Sequence, residues 1–440
     1  MNYGNTVNWR STMFNIKNIK WIGLLFVPGA LFSQEATLVN GEAEVSVGPS
    51  LPLDSILQRI DRNNILLQTY DLRAESYKYS ADAATAWMPP MIGAGTFMTP
   101  YPGQMKMEPS DAGQLMLRIE QDIPNGAKLG AKRRYIESQG AVERATRAVT
   151  LNDLKAQAKR QYYAWLVAEQ RMKVLAKNTE VMEMMRKIEE VRYPYNQSQL
   201  SSVFRIDARI EEIRNMVRMQ EGEIGRARAY LNGLMNQPGN QLFRIDTTER
   251  IRFSPTLFDT TSLAIARGDV QRMNESIRSM QLNIASMRQQ WKPDFRIQYD
   301  HMYPLDAMMP NQYSIMGMIS IPLAPWSSKM YKSDIKAMQL NIRAMEKERS
   351  AMLQETQGML YGMQAEIQSM QRRIQGMEGK IIPSLRQALD VNFLNYKENK
   401  AQITVVIDAW EALLMMQMNV LDEKQKLYQM IVDYEKELYR

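Results

Sequence analysis

Cysteine is absent from the 440-residue chain, and histidine occurs once, at His301. Without cysteine there is no disulfide, no thiolate-bound zinc, no iron–sulfur cluster and no N-terminal cysteine to acylate. A single histidine excludes a multi-histidine metal centre within one chain. No Gly-rich loop ending in Lys-Ser/Thr is present to hold a phosphate. No nucleophile, base and orienting group fall into a catalytic pattern, so an enzyme is not expected and no cofactor is implied. After the N-terminal segment, no window supplies the ~20 apolar residues of a transmembrane helix. If the chain crosses a membrane, it must do so with strands.

The first 33 residues carry Arg10, Lys17 and Lys20, no acid, then the apolar run WIGLLFVPGALF and an exit at Ser-Gln. This is the basic, apolar and small-residue order of a secretory signal peptide, with Met13 as a candidate start. The run is too short to anchor the chain across a bilayer of ~30 Å. Losing this segment takes the net charge from +7 to +4. Neither that charge nor an exported location favours nucleic acid as a partner.

One phrase is written twice. YNQSQLSSVFRIDA at 195–208 returns as YKENKAQITVVIDA at 396–409, an offset of 201. Trp87-Met-Pro-Pro returns as Trp291-Lys-Pro, and Ile123-Pro124 as Ile321-Pro322, at similar offsets. Each half therefore reads helix, strand, loop, strand, long helix, phrase, helix. The expected layout is a signal peptide (1–33), an extended segment (34–52), a first repeat (53–240) with a hairpin at 91–123, a linker (241–258), and a second repeat (259–440) with a hairpin at 294–321.

Strands are expected where side chains alternate. In 294–303, Phe295, Ile297, Tyr299, His301 and Tyr303 oppose Arg296, Gln298 and Asp300; in 114–123, Leu115, Leu117, Ile119 and Ile123 oppose Arg118, Glu120 and Asp122. Residues 312–321 alternate Tyr313, Ile315, Ile319 and Ile321 with Ser314 and Ser320, while the Gly-rich 91–101 alternates weakly. Each run has the length of a tilted membrane strand. The same pattern also suits a soluble sheet with one wet face.

Residues ~128–193 and ~327–395 hold few helix breakers, and at ~1.5 Å per residue each helix runs roughly 100 Å. Helices over ~53–86 and ~202–236, stacked end to end, match the first of these; ~259–290 and ~403–438 match the second. Met338, Met345, Met352 and Met359 recur every seven residues, a step of four leads to Met363, Met370 and Met377, and Met273, Met280 and Met287 repeat the seven. Such steps mark a coiled-coil seam. Pro383 falls inside the second long helix, where a kink or break is expected.

Four strands cannot close a membrane barrel, and an open edge in lipid leaves backbone groups unpaired. The expected architecture is therefore a mixed α+β membrane protein in which three copies share a twelve-stranded β-barrel that continues into a long α-helical coiled-coil barrel. Arg118, Glu120, Asp122, Arg296, Gln298 and Asp300 face its lumen. The intervening apolar residues face lipid, with Tyr101, Tyr303 and the junction tryptophans as interface candidates.

In this duplicated order, in the Trp/Pro helix-to-strand junctions, in ARAYLNGLMNQP (227–238) and above all in the two phrases, the chain resembles the TolC family of outer-membrane efflux and secretion channels over residues ~53–438. The resemblance implies a homotrimer in the outer membrane of a Gram-negative bacterium that extends into the periplasm. Its linker is equatorial, and the two phrases are periplasmic tips that close the entrance and meet a periplasmic adaptor, through which an inner-membrane pump engages. Carried onto this chain, Arg205, Asp207, Gln402, Val405 and Asp408 are gate residues, and Tyr195, Gln199, Ser201, Tyr396, Lys400 and Ala401 contact the adaptor.

The family's second phrase often has two aspartates three apart; this chain keeps Asp408 but has Val405 at the earlier place. A less acidic entrance is expected, gated by apolar groups and a contact of Arg205 with a carboxylate. Asp207 and Asp408 are alternatively helix N-terminal charges that complement the macrodipole. The 35 methionines fit the helical seam, but thioethers also select Cu(I) or Ag(I), and Met105/Met107, Met308/Met309 and Met415/Met416/Met418 are candidate ligands. The functional expectation is a passive exit duct of a tripartite efflux pump, for toxic metals or drugs. A duct for type I protein secretion and a periplasmic coiled-coil scaffold are the alternatives.

Overall fold

The computed structural model describes residues 48–439 apart from 106, 107, 196, 250, 252, 257, 258 and 322–324. The expected signal peptide, the extended segment up to Val47, Met107 and Pro322 lie outside these residues. All described elements belong to the second of two units, Val47–Arg440. In chain order they are β1 (Ser50–Leu51), α1 (Leu53–Asn63), α2 (Ile65–Ala83), β2 (Met91–Phe97), β3 (Gln114–Ile123), α3 (Gly126–Arg192), α4 (Leu200–Leu234), β4 (Arg244–Ile245), α5 (Thr260–Ala266), α6 (Gly268–Arg288), β5 (Asp294–Pro304), β6 (Gln312–Ser320), α7 (Pro325–Gly376), α8 (Ile382–Lys397) and α9 (Ile403–Glu437). A π turn, Met377–Ile381, joins α7 to α8.

The helix expected over ~53–86 is two helices broken at Asn64, and that over ~259–290 is two broken at Arg267. Neither residue is a strong breaker; tertiary contacts hold both in extended backbone. The Asn64 side chain accepts from Leu66 N at 3.0 Å and donates to Leu234 O, at the end of α4, at 2.9 Å. Arg267 donates from Nη1 to Glu437 O, at the end of α9, at 3.1 Å, and pairs with Asp269 and Glu437 at 2.6 and 2.9 Å. Each break thus joins the start of one short helix to a carbonyl that the helix below leaves unsatisfied. These are the end-to-end columns expected from helix lengths, α2 with α4 and α6 with α9.

Both columns pack on α3. Gly140 lets α2 approach, since a Cβ there would meet Ala74 O at 3.0 Å. Ser138 and Gln139 donate to Ser279 of α6, and Asn178 donates to Gln417 of α9 at 3.1 Å. The 241–258 linker is itself packed: β4 pairs in parallel with β1, and Phe243 and Ile245 enter a core around Trp165 and Tyr162.

The seam of the second half differs from the methionine repeat. Leu353, Leu360, Ile367 and Ile374, seven apart, are buried in α7, as are Ile342, Thr356 and Met370, while Met352 and Met363 flank them and Met359 is exposed. Branched side chains and Met370 take the centre, and other thioethers of the repeat pack beside it, Met273, Met280, Met338 and Met345 against Ile277, Ile284 and Ile342. Below α7 the seam resumes at Ile382, Leu389 and Tyr396, after a step of eight. The π turn supplies the extra residue: Ile382 N–H donates to Met377 O, five residues back. It also places Pro383, which lacks an N–H, in the first turn of α8. At the place of the expected kink or break there is therefore one widened turn that keeps the seam in line.

One further expectation changes. By length and composition, α9 holds a stretch apolar enough to cross a membrane. Ile403, Val406, Ile407, Trp410, Leu413 and Leu414 from that stretch are buried against α3, α4 and α8, so contact on several sides at once accounts for its apolarity.

Candidate functional site

The four long strands form one antiparallel sheet in the order β2-β3-β5-β6, so the two hairpins meet through β3 and β5, and β2 and β6 are its edges. The register puts Arg118 opposite Asp300, Glu120 opposite Gln298 and Asp122 opposite Arg296. All six residues expected on the polar face share it. They form two adjacent clusters: Arg118 pairs with Asp300 at 2.8 Å and Gln298 donates to Asp300 at 2.7 Å, while Arg296 pairs with Asp122 and with Glu120 at 2.6 Å each.

The faces are inverted relative to a sheet that folds in water. Gln298 and Asp300 are buried, at 6% and 4% exposure, while Leu117 and Ile119 on the other face are 47% and 48% exposed. Phe295, Ile297, Tyr313, Ile315 and Ile319 extend that bare apolar face. A soluble sheet hides its apolar face, since each buried CH₂ stabilises by about 0.8 kcal/mol. Trp87, Trp291 and Trp326 are exposed at the end of the sheet from which the helices leave, and Tyr101 and Tyr303 at the opposite end. Aromatic residues with polar tips at both rims suit two membrane interfaces.

At the far end of the helices the repeated phrases pack together. Ile206 and Ile407, each the isoleucine of an Ile-Asp-Ala, lie in one buried cluster with Ile210, Val406, Trp410, Leu175 and Met182. Each phrase is mostly helical: α4 begins at Leu200 and α9 at Ile403. Asn399 closes the second turn with φ 59°, the left-handed geometry that asparagine tolerates after a helix. Lys400 N donates back to Asn395 O at 2.8 Å.

Gln199, Ser201, Arg205, Lys400, Gln402, Val405 and Asp408 are exposed, Ala401 partly so, and Tyr195 is 73% exposed. Tyr396 is the exception among the expected adaptor contacts. It is 5% exposed, its hydroxyl donates to the buried Glu189, and the Arg192 guanidinium lies 4.5 Å from its ring centroid. Its ring therefore cannot be an outward contact. Burial, then the bond to Glu189, pushes its phenol up to about 12. Arg192 also donates to Tyr396 O and to the Asn399 side chain, tying the end of α3 to the second turn.

The expected Arg205 contact is not made within the subunit: Arg205 has no ion pair among the described residues. Asp207 pairs instead with Arg186 of α3 at 2.8 Å, because Arg205 projects from the exposed side of α4. Just past the two phrases Arg209 bridges α4 to α9, reaching Glu411 at 2.8 Å, and also pairs with Glu212 of its own helix at 2.7 Å. The bond to Glu212 leads the interactions that raise the pKa of Arg209 above its ordinary value. Asp207 and Asp408 lie beyond the first turns of α4 and α9, which carry no acid, so the macrodipole reading fails, its effect being confined to the terminal turn. Met415 and Met418 line one groove with Met216, Trp410 and Glu411, which Met416 does not line.

No family model matches the sequence, and no curated protein does either. Solved structures do. Among them are the outer-membrane channel OprN (15% identity, 88% of this chain and 89% of that one, TM-score 0.68) and the outer-membrane protein VceC of Vibrio cholerae (15%, 88% and 95%, 0.65). A third is the MtrE outer-membrane channel of Neisseria gonorrhoeae in its open state (14%, 88% and 88%, 0.64). The chain has the fold of these outer-membrane channels. Within that channel fold, sequence reasoning missed Arg209, Glu411 and Glu189. Arg209 and Trp410 are matched positions, 201 apart, but one carries charge and the other an indole, so repetition gave no signal for the bridge.

Proposed function

We propose that the chain is one third of a passive outer-membrane duct: a homotrimer whose sheets join into a twelve-stranded barrel and whose helices continue into the periplasm. The inverted sheet carries this reading. An uncovered apolar face requires lipid or another apolar phase, and the two open edges require partners that hydrogen-bond to them. A second copy supplies each edge, and the ion-paired face then lines water. The scaffold alternative loses support from the same observation, because a soluble sheet would not expose Leu117, Ile119, Ile297 and Ile315 together.

In this reading the duct serves a tripartite efflux pump. The paired tips are its entrance, a periplasmic adaptor meets their exposed residues, and an inner-membrane transporter supplies the energy. The exposed Arg205, Gln402, Val405 and Asp408 face the neighbouring tips at the closed entrance. Opening moves the helices outward, away from a contact with two stable arrangements.

The mature protein, purified from membranes in detergent, is expected to have the mass of three chains and a small, largely closed conductance in planar bilayers. A water-soluble monomer without conductance would sink the reading. In cells lacking the gene, sensitivity to a toxicant supports the efflux assignment, and loss of a secreted protein overturns it in favour of a secretion duct.

A further inference from the structure

The sheet separates two kinds of apolar side chain. All five of its methionines, Met91, Met116, Met302, Met316 and Met318, lie on the ion-paired face, whereas its leucines, isoleucines and tyrosines all lie on the other. Were methionine only a filler here, it would belong among the leucines and isoleucines of the bare apolar face. Met116 and Met302 stand directly opposite one another on β3 and β5, where Cβ atoms of such pairs are about 4.5–5.5 Å apart. Their flexible stems can bring two sulfur atoms to one point between the strands. The Arg118 guanidinium lies 3.8 Å from Met116 Sδ and is held by Asp300, which confirms that this sulfur faces the polar network. The same face carries Glu120, Asp122, Asp294 and Asp300 against Arg118 and Arg296, with Asp294 paired to Lys128 of α3 at 2.6 Å, which leaves a small excess of negative charge. Met316 and Met318 form a second neighbouring pair on β6.

We infer that Met116 and Met302 form a binding site for a soft monovalent cation of the Cu(I) or Ag(I) type on the water-lined face of the sheet. Thioethers are soft, uncharged ligands that select such ions over Zn(II) or Mg(II). A pair of them, completed by water, binds reversibly and suits a passage through which the ion also leaves. The site rests on the reading of this face as water-lined, and it goes beyond the duct assignment by naming ligands.

The test uses the full mature protein in detergent, labelled with ¹³C at the methionine methyls and titrated with silver nitrate in chloride-free buffer. M116L and M302L, which keep side-chain volume, assign the two signals. The Met116 and Met302 methyls are expected to shift first and together. Either substitution should weaken this first-filled site at least tenfold, and Zn(II) should leave both signals in place. First shifts elsewhere, unchanged affinity in M116L and M302L, or an equal response to Zn(II) would each overturn the inference. Because the readout requires no conduction, a conducting trimer that fails it rejects only the metal site, and a soluble monomer rejects the duct.

Discussion

The two tips begin as copies and end as different objects. Tyr195 opens the first phrase and stands in solvent, whereas Tyr396 opens the second and is buried against Glu189 and Arg192. Eleven residues on, the phrases converge again, since Ile206 and Ile407 share one core cluster. The lesson is positional. Residues that pair the tips stay alike, while those at the turns are free to diverge, one turn becoming a surface and the other an anchor.

The comparison breaks most readily at Trp410, which is 2% exposed. Replacing it by Ala should cost about 3–5 kcal/mol, read as lost protection of tip amides in hydrogen exchange. Its matched position, Arg209→Ala, should cost about 1 kcal/mol by the same measurement, because the Arg209 to Glu411 bridge is partly solvated. Tyr396→Phe removes the donor to buried Glu189 and should cost about 1–3 kcal/mol; Tyr195→Phe should change nothing.

The same tyrosine gives a pH signature. An unfolded phenol ionises near 10, but Tyr396 in the fold holds its proton until about 12. Between those values the unfolded chain binds fewer protons than the folded one, so stability falls as pH rises. Tip protection should therefore weaken from pH 10 to 12, and Tyr396→Phe should flatten part of that slope. The smallest effect is expected at Arg186→Ala: its pair with Asp207 is about half exposed and contributes about 0.2–1 kcal/mol. A larger loss would mean that the first tip is anchored after all.

Much of this architecture was legible because periodicity is local. Alternation located β3, β5 and β6 and assigned their faces, and the scarcity of breakers gave α3 and the α7–α8 rod. The breaks at Asn64 and Arg267 were hidden, since what unwinds the backbone there is a distant helix end. The burial of Tyr396 was hidden for the same reason, although its place seven residues after Leu389 held a clue. Arg205 and Asp207 are two residues apart in sequence and point to different sides of α4, so proximity along the chain misassigned the carboxylate's partner.

The π turn ahead of Pro383 makes the aim of the tip a matter of counting. A helix turns about 100° per residue, so one additional residue between Ile374 and Ile382 would by itself rotate everything below it by that angle; the wider π turn takes up that residue and keeps the lower helix in line with the rod above. Forcing that turn back to α geometry while keeping the residue would leave every contact chemically available, yet swing Leu389 and Tyr396 out of the cluster they now join. The far end of the helices is thus indexed to the rest of the molecule like a gear on a shaft, and its angular setting is stored in one tooth.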